Sequence, residues 1–166
     1  LFAACPGDFA AACRSVAAPP PVTVGVYTGF PIPTATPPAH ETDGPLGAVF
    51  LHRAVRPLGL GCVILTDPPA RPAGLAGLRA AGTPDPWAAP EFVVGPDGRP
   101  ASANGSRVLF EIPVALERVG PAADGRCYTM RGTDVTAHTL PFHHDFRPPT
   151  WAVGIGDGGN EIGMGK

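Results

Sequence analysis

Short apolar runs alternate along the chain with polar, proline-rich and glycine-rich segments, and this pattern predicts alternating strands and helices. β-Branched and other apolar residues fill 22–27 and 62–67, which we predict as buried strands, and the apolar run at 151–153 predicts a last strand. A short strand is predicted at 91–94. The stretch 107–116 fits either a helix or a strand, so the sequence leaves its state open.

Helical spacing of apolar residues is found between the predicted strands. The segment after the first strand has such residues at Leu46, Val49, Phe50, Ala54 and Leu58. Asp43 is predicted to cap this helix at its N-terminus, and Gly59 is predicted to end it. A shorter helix is predicted at 71–81, and residues 1–18 have the alanine-rich composition of a helix.

The order strand, helix, strand, helix predicts an α/β fold, Rossmann-like and doubly wound, with a mostly parallel sheet. We divide the chain into an N-terminal helical and linker segment, 1–21, and an α/β domain, 22–166. A glycine loop such as 154–165 normally leads into a helix that completes a ligand site. The sequence stops at Lys166, so we expect the α/β domain to be incomplete at its C-terminus.

The composition and charge of the chain argue against several classes of partner. The chain has 166 residues, of which 16% are charged, and its formal net charge is −2, so nucleic acid is not an expected partner. No apolar stretch approaches the about 20 residues that a membrane span needs. The four cysteines lack Cys-x-x-Cys spacing and are expected to be free thiols in a reducing compartment. We therefore expect the protein in the cytoplasm, or in the mitochondrial matrix of a eukaryote.

The strongest chemical signal is the loop 154–165, where glycines surround Asp157, Asn160 and Glu161. Glycines let a ligand approach the backbone and leave amide groups free to face it. A site for an anion alone would not need two carboxylates. The loop therefore predicts a site for a cation, an ammonium group or a proton, beside amides that hold a carboxylate or a phosphate.

Further polar side chains follow the other predicted strands and should share the same edge of the sheet. They are Thr28 after the first strand, Glu117 and Arg118 after the apolar run 112–116, and Tyr128 and Arg131 in the loop beyond. Arginine binds carboxylates in bidentate fashion, and a desolvated carboxylate accepts a proton. Two simpler interpretations stay open: Asp43 is only a helix cap, and Glu117 with Arg118 is only a surface ion pair.

Four separated blocks of the sequence carry a family resemblance. They are Thr-Gly-Phe-Pro at 28–31, Glu-Thr-Asp-Gly-Pro-Leu-Gly-Ala at 41–48, Glu-Arg with a following Asp-Gly at 117–125, and Gly-Asp-Gly-Gly-Asn-Glu-Ile-Gly-Met-Gly at 156–165. In this order they resemble the D-glutamate cyclase family. The chain departs from the family pattern after Gly125, where Arg126-Cys127-Tyr128-Thr129 stands in place of the usual Asn-Tyr-Tyr-Asn.

The resemblance implies a hydro-lyase on a Rossmann-like fold that interconverts D-glutamate and 5-oxo-D-proline with loss of water. The catalytic candidates are then Asp157, Glu161, Glu117 and Asp43. The substrate-binding candidates are Arg118, Arg131, Tyr128, Gly158, Gly159, Asn160 and Thr28. Asp157 and Glu161 are also candidate ligands of a divalent metal such as Mg²⁺ or Mn²⁺, because converging carboxylates repel one another without a cation. No nucleotide cofactor is expected. The expected partners are a small acidic amino acid and further copies of the chain, and neither nucleic acid nor a membrane.

Three other functions stay open at this point. Gly154, Gly156 and Gly159 satisfy the Gly-x-Gly-x-x-Gly pattern of dinucleotide- or phosphate-binding modules, although Asp157 would repel a pyrophosphate. A metal hydrolase would use the ligands His138, His143, His144 and Asp145, although adjacent histidines do not easily bind one ion and the surrounding prolines favour a solvated loop. A chain that binds an acidic ligand without turning it over is the third.

Overall fold

The computed structural model describes residues 5–17, 23–37, 39–83, 93–94, 100–101, 110–146 and 151–164. Its strands are β1 (Thr23–Gly29), β2 (Pro31–Ile32), β3 (Ala39–His40), β4 (Gly61–Thr66), β5 (Val93–Val94), β6 (Pro100–Ala101), β7 (Ile112–Arg118) and β8 (Val153–Ile155). Its α-helices are α1 (Asp8–Val16), α2 (Asp43–Val55) and α3 (Arg71–Ala80). Short 3₁₀ turns lie at Arg56–Leu58, Pro68–Ala70, Thr136–His138 and Phe142–Phe146.

Parallel strands form the main sheet, in the order β4-β1-β7-β8. β1 is an interior strand that pairs with both β4 and β7, so the loops after these three strands leave the sheet side by side. The antiparallel pairs β2-β3 and β5-β6 are separate from this sheet. With α2 and α3 packed together and α2 against the sheet, the predicted doubly wound α/β fold with a mostly parallel sheet is confirmed.

Apolar side chains of the sheet and its helices form the main core. This cluster joins β1, β4, β7, α2 and α3, and includes Val24, Val26, Ile64, Val114, Val55 and Leu78. Val16, at the end of α1, packs against it. A second cluster forms around Tyr27, Leu65 and Phe142. Full burial of a side chain of this kind stabilises by about 1.5–3 kcal/mol, and this packing holds the strand ends from which the polar loops emerge.

Most predicted elements are present with shifted ends. Residues 112–116 of the open stretch 107–116 are strand and belong to β7, which continues to Arg118; Pro113 is incompatible with a helix interior. The last strand begins at Val153 and continues to Ile155, two residues beyond its predicted end. Of the strand predicted at 91–94, residues 93 and 94 form the two-residue strand β5. Residues 91, 92 and 107–109, on which the rest of these predictions fall, lie outside the described residues.

The buried face of α2 differs from the apolar stripe in its sequence. Leu46, Phe50 and Leu58 are 52%, 67% and 58% exposed. The buried residues of the helix are instead Gly44, Pro45, Ala48, Val49, His52 and Val55. Small residues face the sheet because the helix lies close to it: a Cβ on Gly44 would stand 2.5 Å from Thr28 Oγ1 and 3.4 Å from the Leu116 carbonyl oxygen.

Both ends of α2 differ from the prediction. Asp43 is the first helical residue and Thr42 occupies the cap, so the predicted cap position was one residue too late. The α-helix ends at Val55, before the predicted stop, and Gly59, with a φ of 80°, ends the 3₁₀ turn that follows it.

The cysteines are free thiols in the structure, as their spacing predicts: Cys5 and Cys13 are exposed, while Cys62 and Cys127 are buried. Burial raises the pKa of the Cys62 thiol to about 12, so this residue is protonated and unreactive. None of the helices in the described part of the chain combines the length and the apolar character needed to cross a bilayer.

Candidate functional site

A cluster of carboxylates lies where β7 ends and the loop after β8 folds back. Glu117, Asp157 and Glu161 each offer one oxygen, and these oxygens lie within 4.8 Å of one another. Glu161 is buried, Glu117 is half-buried and Asp157 is exposed. We call these three residues the carboxylate cluster. It is open to solvent on the Asp157 side and closed beneath Glu161.

Backbone hydrogen bonds hold the glycine loop against the end of β7. The Ile162 amide donates to the Arg118 carbonyl at 2.8 Å, and the Gly120 amide donates to the Asn160 carbonyl at 2.9 Å. Val119 and Glu161 form an antiparallel bridge at the same place. These contacts bring residues forty or more positions apart in sequence to one edge of the sheet, the carboxyl edge, where ligands of α/β sheets bind.

Two glycines lie close beneath Glu161. A Cβ on Gly158 would stand 2.6 Å from Glu161 Oε1, and one on Gly156 would stand 3.0 Å from Glu161 Cβ. The Gly158 amide donates to both oxygens of Glu161 at 3.1 Å. The glycines therefore let the loop close around its own carboxylate, and one backbone donor already serves that anion.

Glu117 has an unusual backbone. Its φ is 47°, which makes it the one non-glycine residue with positive φ among the residues that the structure describes. The pairing of β1 with β7 skips it: Thr28 pairs with Leu116 and Gly29 pairs with Arg118. Glu117 is the extra residue of a β-bulge, a feature that re-aims side chains and is common beside functional sites.

Electrostatic repulsion concentrates on Glu117. Desolvation, followed by the negative charges of Asp157, Glu161, Asp43 and Glu41, raises the pKa of Glu117 from its ordinary 4.5 to about 7. The pKa of Glu41 is raised as well, by desolvation and then by Asp43, Asp157 and Glu161. At neutral pH Glu117 is therefore both an acceptor and a donor of a proton, which is the property of a general acid or base.

We expect the metal-free protein to lose stability as the pH rises from about 4.5 to about 7. The folded state binds the proton of Glu117 more tightly than the unfolded chain does, so this stabilisation is complete below the unfolded pKa and disappears through the folded one. Urea unfolding at pH 5, 6, 7 and 8 in a chelating buffer measures it. A free energy of unfolding that is flat or rising across this window would contradict the assignment, and Glu117→Gln should flatten the slope.

Two of the other predicted site residues border the cluster. Asp43 is exposed at the start of α2, where its Oδ1 accepts a hydrogen bond from the Gly44 amide at 2.8 Å. It also contributes to the raised pKa of Glu117, so it is at once a helix-terminal hydrogen-bond acceptor and a neighbour of the cluster. Thr28 is buried beside Gly44, and its Oγ1 makes no hydrogen bond within the described structure.

Arg118 does not face the cluster, although it follows Glu117 directly. Its side chain is 0% exposed, and its two terminal nitrogens donate to the two carboxylate oxygens of Asp67. They also donate to the carbonyls of Gly29 at 3.2 Å and Leu140 at 2.7 Å. Arg118 is therefore not placed to hold a substrate carboxylate, and it is no surface ion-pair partner of Glu117 either.

Residues 121–134, after β7, form a hairpin with antiparallel bridges between Pro121 and Cys127 and between Tyr128 and Asp134. This hairpin packs against the glycine loop 154–165. The Asn160 side-chain amide donates to the Tyr128 carbonyl at 2.7 Å, while the Tyr128 hydroxyl donates to Asp124 at 2.6 Å. Arg131 is exposed on this hairpin, and Gly159 is exposed in the glycine loop with a φ of 83°. Of the predicted substrate-binding groups, Arg131 and Gly159 are exposed, whereas the Gly158 amide is already engaged by Glu161.

Glu41 was missed as a site residue from the sequence alone. It is exposed, its backbone amide bonds to the Phe30 carbonyl at 2.9 Å, and it lies within electrostatic range of Asp43, Asp157 and Glu161. A signal was present, because Glu41 stands two residues before Asp43 in the loop that precedes α2. The helical spacing that follows this loop favours Asp43, because an aspartate next to such a segment is a preferred cap residue.

The alternative sites do not assemble in the described part of the chain. The Gly-x-Gly-x-x-Gly loop leads into turns rather than a helix up to residue 164, and its Gly158 amide faces Glu161 rather than outward. The carboxylate cluster is the one metal-competent group found among the described residues. Asp145 accepts a hydrogen bond from the Tyr27 hydroxyl at 2.8 Å, and the rings of His143 and His144 lie 4.2 Å apart.

Comparison with known proteins agrees with these features. A family model described as "D-glutamate cyclase-like, C-terminal" matches residues 3–166. A human protein named "D-glutamate cyclase, mitochondrial" is 32% identical over 164 residues, which cover 87% of this chain and 26% of the human protein. The chain thus spans about a quarter of the length of this curated relative. On the match over nearly its whole length, the chain belongs to the D-glutamate cyclase-like C-terminal domain family.

Proposed function

We propose that the carboxylate cluster is the active site of a hydro-lyase that interconverts D-glutamate and 5-oxo-D-proline. The observation that carries the proposal is the convergence of Glu117, Asp157 and Glu161 within 4.8 Å, with the pKa of Glu117 raised to about 7. Family membership supports this choice of reaction class and substrate. The chemistry of the cluster supports it, since carboxylates attract an ammonium group and accept its proton.

The reaction forms one bond and breaks one bond. The α-amino nitrogen of D-glutamate bonds to the γ-carboxyl carbon, and a carbon–oxygen bond of that carboxyl breaks. The ammonium group loses two protons, and both leave with the oxygen as water, so the reaction has no net proton change. A group that takes a proton from nitrogen and returns it to oxygen would serve both halves of this exchange.

Glu117 is the side chain best suited to move that proton. Its pKa near 7 matches the working pH of a general base, whereas an ordinary glutamate is too weak a base to take a proton from an ammonium group. Asp157, exposed at the mouth of the cluster, and buried Glu161 would bind the ammonium group of the substrate. Arg131 on the neighbouring hairpin is the candidate contact for the α-carboxylate.

The donor set also fits a hard divalent cation. A metal–oxygen bond of about 2.0–2.6 Å places ligands on opposite sides of one ion about 4–5 Å apart, and the oxygens of Glu117, Asp157 and Glu161 lie within 4.8 Å. The γ-carboxylate of D-glutamate would be repelled by this cluster without a cation between them. A bound Mg²⁺ or Mn²⁺ would neutralise the cluster and polarise the γ-carboxyl group. Asp157 and Glu161 would hold the ion, and Glu117 would remain beside them as the group that moves the proton.

The proposal is tested by incubating the purified chain with D-glutamate, L-glutamate or 5-oxo-D-proline, each with Mn²⁺, Mg²⁺ or a chelator. Chiral chromatography follows the interconversion. We expect turnover of the D-isomer in the presence of metal and only background turnover in chelator. Because the chain spans about a quarter of its human relative, a longer form of the protein is assayed in parallel.

The outcomes separate the parts of the proposal. Equal turnover of D- and L-glutamate would overturn the substrate assignment, and full activity in chelator would overturn the metal. Binding of D-glutamate without turnover in both the short and the longer form would favour a binding module. For the compartment we propose the mitochondrial matrix or the cytoplasm, supported by the free thiols and by the name of the human relative.

A further inference from the structure

An extensive set of contacts anchors Arg118, the residue after Glu117. Its guanidinium pairs with both carboxylate oxygens of Asp67, which follows the end of β4, and with the backbone carbonyls at the end of β1. It donates further to Leu140 and lies over the ring of Phe142, with Cζ 4.9 Å from the ring centre. One side chain thus ties the ends of β1, β4 and β7 to the loop after them.

Both carboxylate oxygens of Asp67 accept hydrogen bonds in this arrangement. Besides Arg118 it accepts the Leu140 amide at 2.8 Å, and His40 Nε2 lies 3.4 Å away without hydrogen-bond geometry. Both members of the ion pair are almost completely buried. A buried pair of this kind adds little net stability compared with apolar residues of similar size, so its presence here points to a geometric role.

The anchored residue fixes the bulge. With its side chain held beside Gly29, Arg118 takes the register position opposite that residue, while Leu116 stays opposite Thr28. Glu117 is left between two paired residues and adopts its positive φ. The carbonyl of Arg118 also accepts the Ile162 amide, which places Glu161 beside the bulge.

We propose that Asp67 and Arg118 are positioning residues that lock the bulge and so aim Glu117 at Asp157 and Glu161. Among the described contacts of the two side chains, none reaches the carboxylate cluster. The pair acts through the backbone, because it stabilises a register in which Glu117 stands between two paired residues with a positive φ. The proposal rests on the proposed function only for its consequence in catalysis, whereas the geometric part stands on the contacts of Arg118.

The test uses Asp67→Asn, which keeps the shape of the side chain and removes its charge. We expect the dissociation constant for Mn²⁺ to rise by about 10- to 100-fold, as is typical when a residue that orients ligands is lost. We also expect the backbone chemical shifts of Glu117 to change from those of a left-handed residue to those of an extended one. Asp134→Asn is the matched control, because Asp134 pairs with Arg126 at 3.0 Å on the exposed surface; neither measurement should change.

A second variant separates positioning from folding. The double substitution Asp67→Leu with Arg118→Met replaces the buried pair by apolar side chains, which preserves or raises the melting temperature in comparable cases. We expect it to fold, to lose the left-handed shifts of Glu117 and to bind Mn²⁺ as weakly as Asp67→Asn.

The proposal is overturned if a folded variant retains both the left-handed shifts and the wild-type affinity for Mn²⁺. If one variant fails to fold, the other decides; if neither folds, the pair is needed for folding and a specific positioning role is rejected. A wild-type protein that binds no Mn²⁺ would defeat the proposed metal site, and the chemical shifts of Glu117 would still decide the present proposal. Absence of D-glutamate turnover would likewise leave the shift comparison unaffected.

Discussion

Replacing Glu117 with glutamine should lower turnover of D-glutamate by about 10²- to 10⁴-fold, the usual contribution of a general acid or base. Glutamine keeps the length of the side chain and cannot take up the proton. The same substitution should raise the thermal stability of the metal-free protein at pH 8, because it removes a charge that four neighbouring carboxylates repel. Initial rates and melting temperatures measured on the same preparation check both effects.

A gain in stability together with a loss of activity would distinguish the loss of a catalytic group from damage to the fold. Most substitutions that reduce activity by damaging the fold also lower stability. Glu111→Gln is the matched control: it makes the same chemical change at the opposite end of β7, where Glu111 is exposed and accepts a hydrogen bond from the Thr23 amide. If Glu117→Gln and Glu111→Gln had similar activity, Glu117 would not be the proton-transfer group.

Replacing Asp157 with asparagine should abolish turnover and remove the stabilisation that Mn²⁺ provides. At a concentration one hundred times its dissociation constant, a ligand stabilises the folded state by about 2.7 kcal/mol. For a chain of this size that corresponds to a rise in melting temperature of about 5–10 °C. Asp157 is exposed at the surface of the cluster, so its loss should leave the metal-free melting temperature unchanged or slightly higher.

The control for Asp157 makes the same change away from the site. Asp8→Asn alters an exposed residue in the first turn of α1, and it should keep both turnover and the response to Mn²⁺. An Asp157→Asn protein that turns over D-glutamate at the wild-type rate would remove Asp157 from the active site. One that is inactive but still stabilised by Mn²⁺ would keep its catalytic role and exclude it as a metal ligand.

Much of the fold is predictable from local pattern. The apolar runs that become β1 and β4 and the glycine that ends the 3₁₀ turn after α2 follow from side-chain type and backbone freedom, which act within a few residues. The buried face of α2 is not predictable in this way. Hydrophobicity favoured Leu46 and Phe50, but the close approach of the helix to the sheet selects small residues such as Gly44 and Ala48.

The candidate site shows the same division. Density of glycine and acidic residues in 154–165 singled out Asp157 and Glu161, because few structures other than a ligand loop use that composition. Glu117 was predicted as a site residue because it directly follows an apolar run. Glu41 and the partner of Arg118 could not be identified, since nothing in the local sequence of a loop residue states which distant charge it will meet.

The sequence by itself determined the elements, their alternation and the residue types available at the ends of the strands. The tertiary structure alone decided that Arg118 turns inward to Asp67, fifty-one positions away, and that Glu117 is bulged outward beside it. The physical reason is that burial and electrostatics depend on all neighbours in space. A charge buried with a partner and a charge repelled by carboxylates can therefore stand at adjacent positions of one strand.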